Sequence, residues 1–303
     1  MTTALRAARG GTAYDRIHEA LRGFAQWDDF RRGLIRRADY CVWVRAHTGF
    51  LADLGLDEEH ANLSTRFPRH ERGHVAGVLA DLAESGVVDG VDYPEEEFAA
   101  HRERVAARWT HDGRTGYVFP EEARLLYALA HLARPRHAVF AGGDLGYWAA
   151  WALPAVVAAG GRATLVDADP AARRLAARNL AALGLPSSAD VVDIRAGGLP
   201  AGGVDLCVLD TAPGDRAGYA CRAGAVTAAM APGELLVAHH MLLQNMTDNP
   251  YLARRIAANV DRYAPFHQHV ERHYGVRRVF PTTAGLGVYR RSPDREAVML
   301  RAA

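Results

Sequence analysis

Between residues 137 and 240, short apolar runs alternate with helical stretches, and this alternation constrains the fold more than any other feature. The runs are "HAVFAGG", "RATLVDA", "ADVVDIRA", "VDLCVLD" and "ELLVAHH", with helices expected over 147–158, 170–183 and 216–231. Such spacing predicts parallel strands joined by crossover helices. Two further runs, "RRVFPTT" and "GLGVYRR", are close enough to form an antiparallel pair at the sheet's edge. The expected architecture is a doubly wound, mostly parallel α/β sheet.

Up to about residue 112 the periodicity is helical, without a strand series. In "YDRIHEALRGFAQW", Ile17, Leu21 and Phe24 fall on one helical stripe. "RRADYCVWVRAHTGFLADLGL" continues with Val42, Val44, Phe50 and Leu51 to an end near Gly55. "HVAGVLADLAESGVV" predicts an amphipathic helix stopped by Gly86. "DYPEEEFAAHRERVAARW" predicts another opening after Pro94, with Glu95–Glu97 suited to its N-terminus. "PEEARLLYALAHL" likewise opens at Pro120 with two acids. The stretch "THDGRTG" therefore divides a helical N-terminal lid or dimerisation domain, 1–112, from a sheet domain, 113–303.

The 303 residues carry a formal net charge of +1, which argues against a nucleic-acid partner. Three cysteines without CxxC spacing exclude a disulfide framework and an ordinary zinc–cysteine module, and suit a reducing cytoplasm. No basic-then-apolar leader opens the chain and no apolar run nears about 18 residues, so no membrane partner is expected. A small-molecule substrate is, and pairing of subunits through the N-terminal helices is left open.

In open α/β sheets, ligands bind beyond the carboxyl ends of the strands, at the topological switch point. The turn after the first strand, "AVFAGGDLGYWAAW", offers Gly142 and Gly143 for close backbone approach and Gly146 at the helix start. It has neither GxGxxG nor GxxxxGK[ST] spacing. The second run ends in Asp167, placed to accept both hydroxyls of a ribose, with a cap or turn role as the alternative. Asp169, followed by Pro170, reads as a helix N-cap.

From about Tyr117 to Asn245 the chain resembles the class I S-adenosylmethionine-dependent methyltransferases, in particular the catechol and caffeoyl-CoA O-methyltransferase type. There the first strand and loop commonly read V-L-E-I-G-x-x-x-G-Y-S. Here they read Val139-Phe140-Ala141-Gly142-Gly143-Asp144-Leu145-Gly146-Tyr147. "TLVDADPAARRLAARNLAALGL" resembles the second-strand acid and its helix, and "PEEARLLYALAHL" the helix before the first strand. The resemblance implies a seven-stranded Rossmann-like sheet binding S-adenosylmethionine, with Gly142, Gly143, Gly146, Tyr147 and Asp167 at the cofactor. Two departures stand out. Phe140 replaces the first-strand acid, so Asp144 is expected to meet the methionine ammonium. Gly197 or Gly198 replaces the third-strand acid, leaving adenine to shape and backbone.

The stretch "GELLVAHHMLLQN" ends an apolar strand in His239 and His240, although neighbours on a strand point to opposite faces. In the resembling family an aspartate ending the fourth strand, here Asp210, joins an Asp-Asn pair after the next parallel strand to bind a divalent metal. His239-His240 stands in that pair's place. The resemblance thus implies a metal site of Asp210, His239 and His240. Imidazole would shift its preference from magnesium toward iron, zinc, manganese or cobalt. Metal-free acid–base or substrate binding, and packing alone, are the alternatives. These three are the expected catalytic residues, and Asp210 also borders the cofactor.

Elsewhere the reading is bland. Cys207 is expected as inert core, Trp148 and Trp151 as packing, and His70, His74, His101 and His111 as surface residues. Tyr14, Trp27, Tyr40 and Trp43 are candidate acceptor contacts or core, and Asp215 orients substrate or caps a helix. The expected activity is methyl transfer from S-adenosylmethionine to a small molecule, chiefly at oxygen. One alternative moves or cyclises the cofactor's aminocarboxypropyl arm and releases methylthioadenosine. Another is a non-catalytic binding module.

Overall fold

The computed structural model describes residues 17, 19–47, 49, 70–112, 118–142, 146–167, 169–185, 189–193, 203–210, 218–241, 256–257 and 260–292. Seven strands form one sheet: β1 (His137–Ala141), β2 (Arg162–Asp167), β3 (Ala189–Asp193), β4 (Leu206–Leu209), β5 (Leu235–His239), β6 (Tyr274–Phe280) and β7 (Leu286–Arg291). Their order is β3-β2-β1-β4-β5-β7-β6. The first five are parallel, and β7 runs antiparallel to both β5 and β6. The chain leaves β1 toward β2 and β3, then returns to build β4 and β5 on the other side. That reversal sets the switch point between β1 and β4.

Nine helices are described: α1 (Ala25–Arg31), α2 (Arg37–Ala46), α3 (Glu71–Glu84), α4 (Glu95–Arg108), α5 (Pro120–Ala133), α6 (Tyr147–Ala158), α7 (Pro170–Ala182), α8 (Gly218–Ala229) and α9 (Val260–His273). β1 and β5 are buried at every position, which is why they read as continuous apolar runs rather than as alternation. α5 and α6 are apolar nearly all round and equally buried. They share one core with Val75, Leu79 and Phe98 from α3 and α4 and with Ala138 and Phe140 of β1. The opposite face is closed by α8 and α9, through Val226, Phe266 and Val270. Among the described residues no helix is long and apolar enough to cross a membrane.

Several local expectations are corrected. The N-terminal helix is interrupted at residues 22–24, where Phe24 N donates to Leu21 O, and α1 begins afresh at Ala25 beyond Gly23. α2 stops at Ala46, well before Gly55, and residues 50–69, with Phe50 and Leu51, lie outside the described set. Val42 is 68% exposed, because Tyr40 and Val44, four apart, take the inner face. His101 is buried rather than on the surface, its Nε2 2.8 Å from Ala150 O and its ring against Trp151. The α4–α6 contact supplies that environment. Cys207 is fully buried and its thiol is pushed up by burial, as inert core requires. The expected domain boundary reaches into residues 113–117, outside the described set.

Gly146 caps α6 with φ of +78°, and a Cβ there would meet Leu165 Cδ2 at 2.9 Å and Ala176 Cβ at 3.1 Å. Gly160 has φ of +68° with open space around it. Gly160→Ala should therefore cost only the left-handed strain, about 1–2 kcal/mol. Gly146→Ala adds overpacking of about 1–3 kcal/mol. Urea denaturation of both variants checks that order.

Candidate active site

Because β1, β2, β4 and β5 are parallel, the residues at their carboxyl ends gather on one edge of the sheet. Gly142 leaves β1 with φ of +77°, its N–H donating to Val166 O at 2.9 Å. Tyr147 opens α6 and packs against Trp109, ring centroids 4.9 Å apart. Asp167 ends β2, and its Oδ1 accepts from Asp169 N at 2.8 Å. Asp169 is indeed the N-cap of α7, accepting from Ala171 N at 2.8 Å. Gly143, Asp144, Leu145, Gly197, Gly198, Asp215 and Tyr14 lie outside the described residues.

At the ends of β4 and β5 the structure brings Asp210, His239 and His240 together, with one potential ligand atom of each within 4.8 Å of the others. The adjacent histidines share a face because His240 has left the strand. Its φ is +61°, a left-handed conformation uncommon for a side-chain-bearing residue, and it folds the ring back to 4.0 Å from that of His239. His240 keeps 27% of its side chain exposed and places Nε2 3.6 Å from Asp210 Oδ1. His239 is buried, with Nδ1 3.2 Å from Asp210 Oδ2 and Nε2 3.2 Å from Glu122 Oε2. Trp148, fully buried as expected, also donates its indole N–H to Asp210 Oδ2 at 3.0 Å.

Sequence reasoning missed Glu121 and Glu122. They were expected simply as acids at a helix N-terminus, yet both are 0% exposed. The missed signal is in the helix itself: Leu125, Leu126, Ala128, Leu129 and Ala130 leave it little polar face, and every residue from Glu121 to Ala130 is buried. The loop between β6 and β7 caps the pair. Glu122 Oε1 accepts from Thr282 Oγ1 at 2.6 Å and Ala284 N at 3.1 Å. Glu121 Oε1 accepts from Thr283 N at 2.7 Å and Thr283 Oγ1 at 2.5 Å.

The electrostatics follow. Burial alone would depress His239, but the carboxylates of Glu122 and Asp210 override it and raise the ring to about 10. Burial would raise Glu122, yet His239, Thr282 and Ala284 hold it below the usual carboxylate range. Asp210 is depressed against its burial by His239, His240 and Trp148. Glu121 is hydrogen-bonded to Thr283 rather than to a cation; burial and the charge of Glu122 push it up to about 7.

The donor set fits a divalent metal. Asp210 Oδ1 is buried with no hydrogen-bond partner among the described residues. Glu122 holds one ring nitrogen of His239 and leaves the other facing Asp210, the carboxylate–histidine arrangement that orients metal ligands. In the present arrangement a proton on His239 supplies the positive charge between two carboxylates. A metal held by these residues would take the place of that proton.

No protein-family model matches the chain, and no curated protein does either. Solved structures do. A candidate O-methyltransferase from Klebsiella pneumoniae aligns at 15% identity over 74% of this chain and 100% of its own, TM-score 0.50. The SAH-bound methyltransferase PaMTH1 from Podospora anserina aligns at 13% identity over 71% of this chain and 95% of its own, TM-score 0.51. With the strand order, these likenesses establish a Rossmann-like methyltransferase fold.

Neighbouring acids should respond oppositely to neutralisation. Glu122→Gln removes one of the two anions facing buried His239 and should cost about 3 kcal/mol or more. A carboxyl with a raised pKa loses stability as pH climbs from its unfolded value through the folded one. Glu121→Gln should therefore stabilise the protein at pH 8 and flatten its decline between pH 5 and 8, both read by denaturant titration.

Proposed function

We propose that this chain binds S-adenosylmethionine and transfers its methyl group to a small-molecule acceptor, chiefly at oxygen. The observation that carries the reading is the meeting of Asp210, His239 and His240 on the carboxyl edge of β4 and β5, beside the switch point. The SAH-bound state of the Podospora protein supports the choice of cofactor. Gly142, Gly146, Tyr147 and Asp167 border the proposed cofactor site, with Asp167 toward the ribose; Gly143, Asp144 and Gly197 complete the proposed set.

A sulfonium is already a good leaving group, so the protein's task is to align the acceptor and take its proton; alignment contributes on the order of 7 kcal/mol or more in the best cases. His240 is the proposed base, being the half of the pair that reaches solvent. Asp210 Oδ1 steadies the imidazolium that results. His239, held between Glu122 and Asp210, fixes the carboxylate's orientation. A divalent metal (iron, manganese, zinc or magnesium) held by Asp210, His239 and His240 would instead lower an acceptor hydroxyl's pKa, with His240 then a ligand rather than the base. Segment 1–112 is proposed to cover the acceptor side and exclude water. Trp27, Phe30, Tyr40 and Val44 from it pack against Phe119 and Ala284, next to the buried acids.

Calorimetry should detect S-adenosylmethionine binding, and turnover should release S-adenosylhomocysteine. His240→Ala should lower kcat about 10²-fold or more while leaving cofactor affinity intact. Methylthioadenosine as the sole product would overturn methyl transfer in favour of aminocarboxypropyl chemistry. Metal analysis of untreated protein, compared with Asp210→Asn, tests the metal site.

A further inference from the structure

Beside the carboxylate–histidine cluster lies a second group of polar atoms that none of the roles above uses. Arg31 ends α1, His74 lies one turn into α3, and Glu121 sits in the first turn of α5. Arg31 Nη1, His74 Nε2 and Glu121 Oε2 are each sealed from solvent without a hydrogen-bond partner among the described residues. Chain geometry brings them close: His70 N donates to Arg31 O at 2.6 Å, tying the end of α1 to the start of α3. Arg31 feels the charges of Glu121 and Glu71, and His74 those of Arg31 and Glu122. Arg31 and the buried Glu121 act on each other electrostatically without pairing, so a ligand able to bridge them would satisfy both. Unsatisfied buried polar groups are uncommon in folded proteins, and three drawn together from separate helices call for an explanation.

The three atoms have definite chemistry. Arg31 Nη1 can only donate. Burial, with the nearby Arg31 charge, lowers His74, so its ring is neutral near pH 7 and Nε2 donates in the matching tautomer. Thr283 already occupies Glu121 Oε1 twice, so Oε2 is the oxygen left to accept. Two donors opposite one carboxylate oxygen complement a headgroup that is anionic at one end and donates at the other. Arg31 is held in place by its stacking over Trp27, 5.3 Å from the ring centroid.

We propose that Arg31, His74 and Glu121 form a receptor for an α-amino-acid headgroup, the carboxylate taken by Arg31 and His74 and the ammonium by Glu121. Resting on the methyl-transfer reading, this makes the acceptor an amino acid or a close derivative. The same headgroup occurs on the methionine arm of S-adenosylmethionine, and the test separates the two sources.

The full-length protein is titrated by calorimetry with the proteinogenic L-amino acids, each beside its decarboxylated amine and its deaminated acid. At least one amino acid should bind about tenfold or more tighter than both partners, since each partner leaves a buried charge unmatched. Arg31→Met should erase the preference over the amine, and Glu121→Gln the preference over the acid, with S-adenosylmethionine affinity unchanged in both. No amino acid binding, or amine and acid binding as tightly as the amino acid, would overturn the receptor without needing any variant to fold. A fall in S-adenosylmethionine affinity in Arg31→Met, with no change for amino acids, would overturn the acceptor assignment and give the receptor to the cofactor. Failure of the wild type to bind S-adenosylmethionine would instead sink the methyl-transfer reading, with the amino-acid titrations read independently.

Discussion

The molecule is organised around one buried imidazolium held between two carboxylates. Glu122 from α5, His239 from β5 and Asp210 after β4 form a line of alternating charge with almost no solvent contact. Each charge alone would be costly to bury. Together, with hydrogen bonds from Trp148, Thr282 and Ala284, they offset much of that cost. Remove one member and the others are stranded. The line joins a helix, two neighbouring strands and an edge loop, so the chemistry of the site and the registry of the fold rest on the same contacts.

This arrangement also divides labour between the paired histidines. The first has both ring nitrogens facing carboxylates and serves as a fixed charge. The second, turned back by its left-handed backbone, keeps an edge toward solvent, which is why it is the member proposed as the base. A regular strand could not have produced this, since alternation would have sent one ring into the opposite core.

Much of this was legible in the sequence. The helix expected over 147–158 is α6 residue for residue, and that expected over 170–183 differs by one at its end. Their boundaries are marked by Gly146 and by Asp169-Pro170, local chemistry that tertiary contacts do not override. Asp210 and the histidine pair are grouped by the resemblance to the methyltransferase family, and the convergence of parallel strand ends on one edge brings them together. Glu121 and Glu122 could not be read correctly in isolation. Acids in a helix's first turn satisfy the dipole whether they face water or core, and only the packing of α5 decides. His101 and Val42 failed for the same reason: each was assigned by its residue type, while burial was set by which helix lay opposite.

The threonines that cap the two acids carry a consequence for how the molecule is made. Thr282 reaches Glu122 across 160 residues of chain, and His239 reaches it across 117. A nascent polypeptide emerging only as far as β4 holds two adjacent acids whose partners in β5 and the β6–β7 loop do not yet exist. Contacts this distant along the chain close late and slowly. This edge of the sheet is thus latched by the β6–β7 hairpin, and synthesis has to run past residue 284 before the cluster can set.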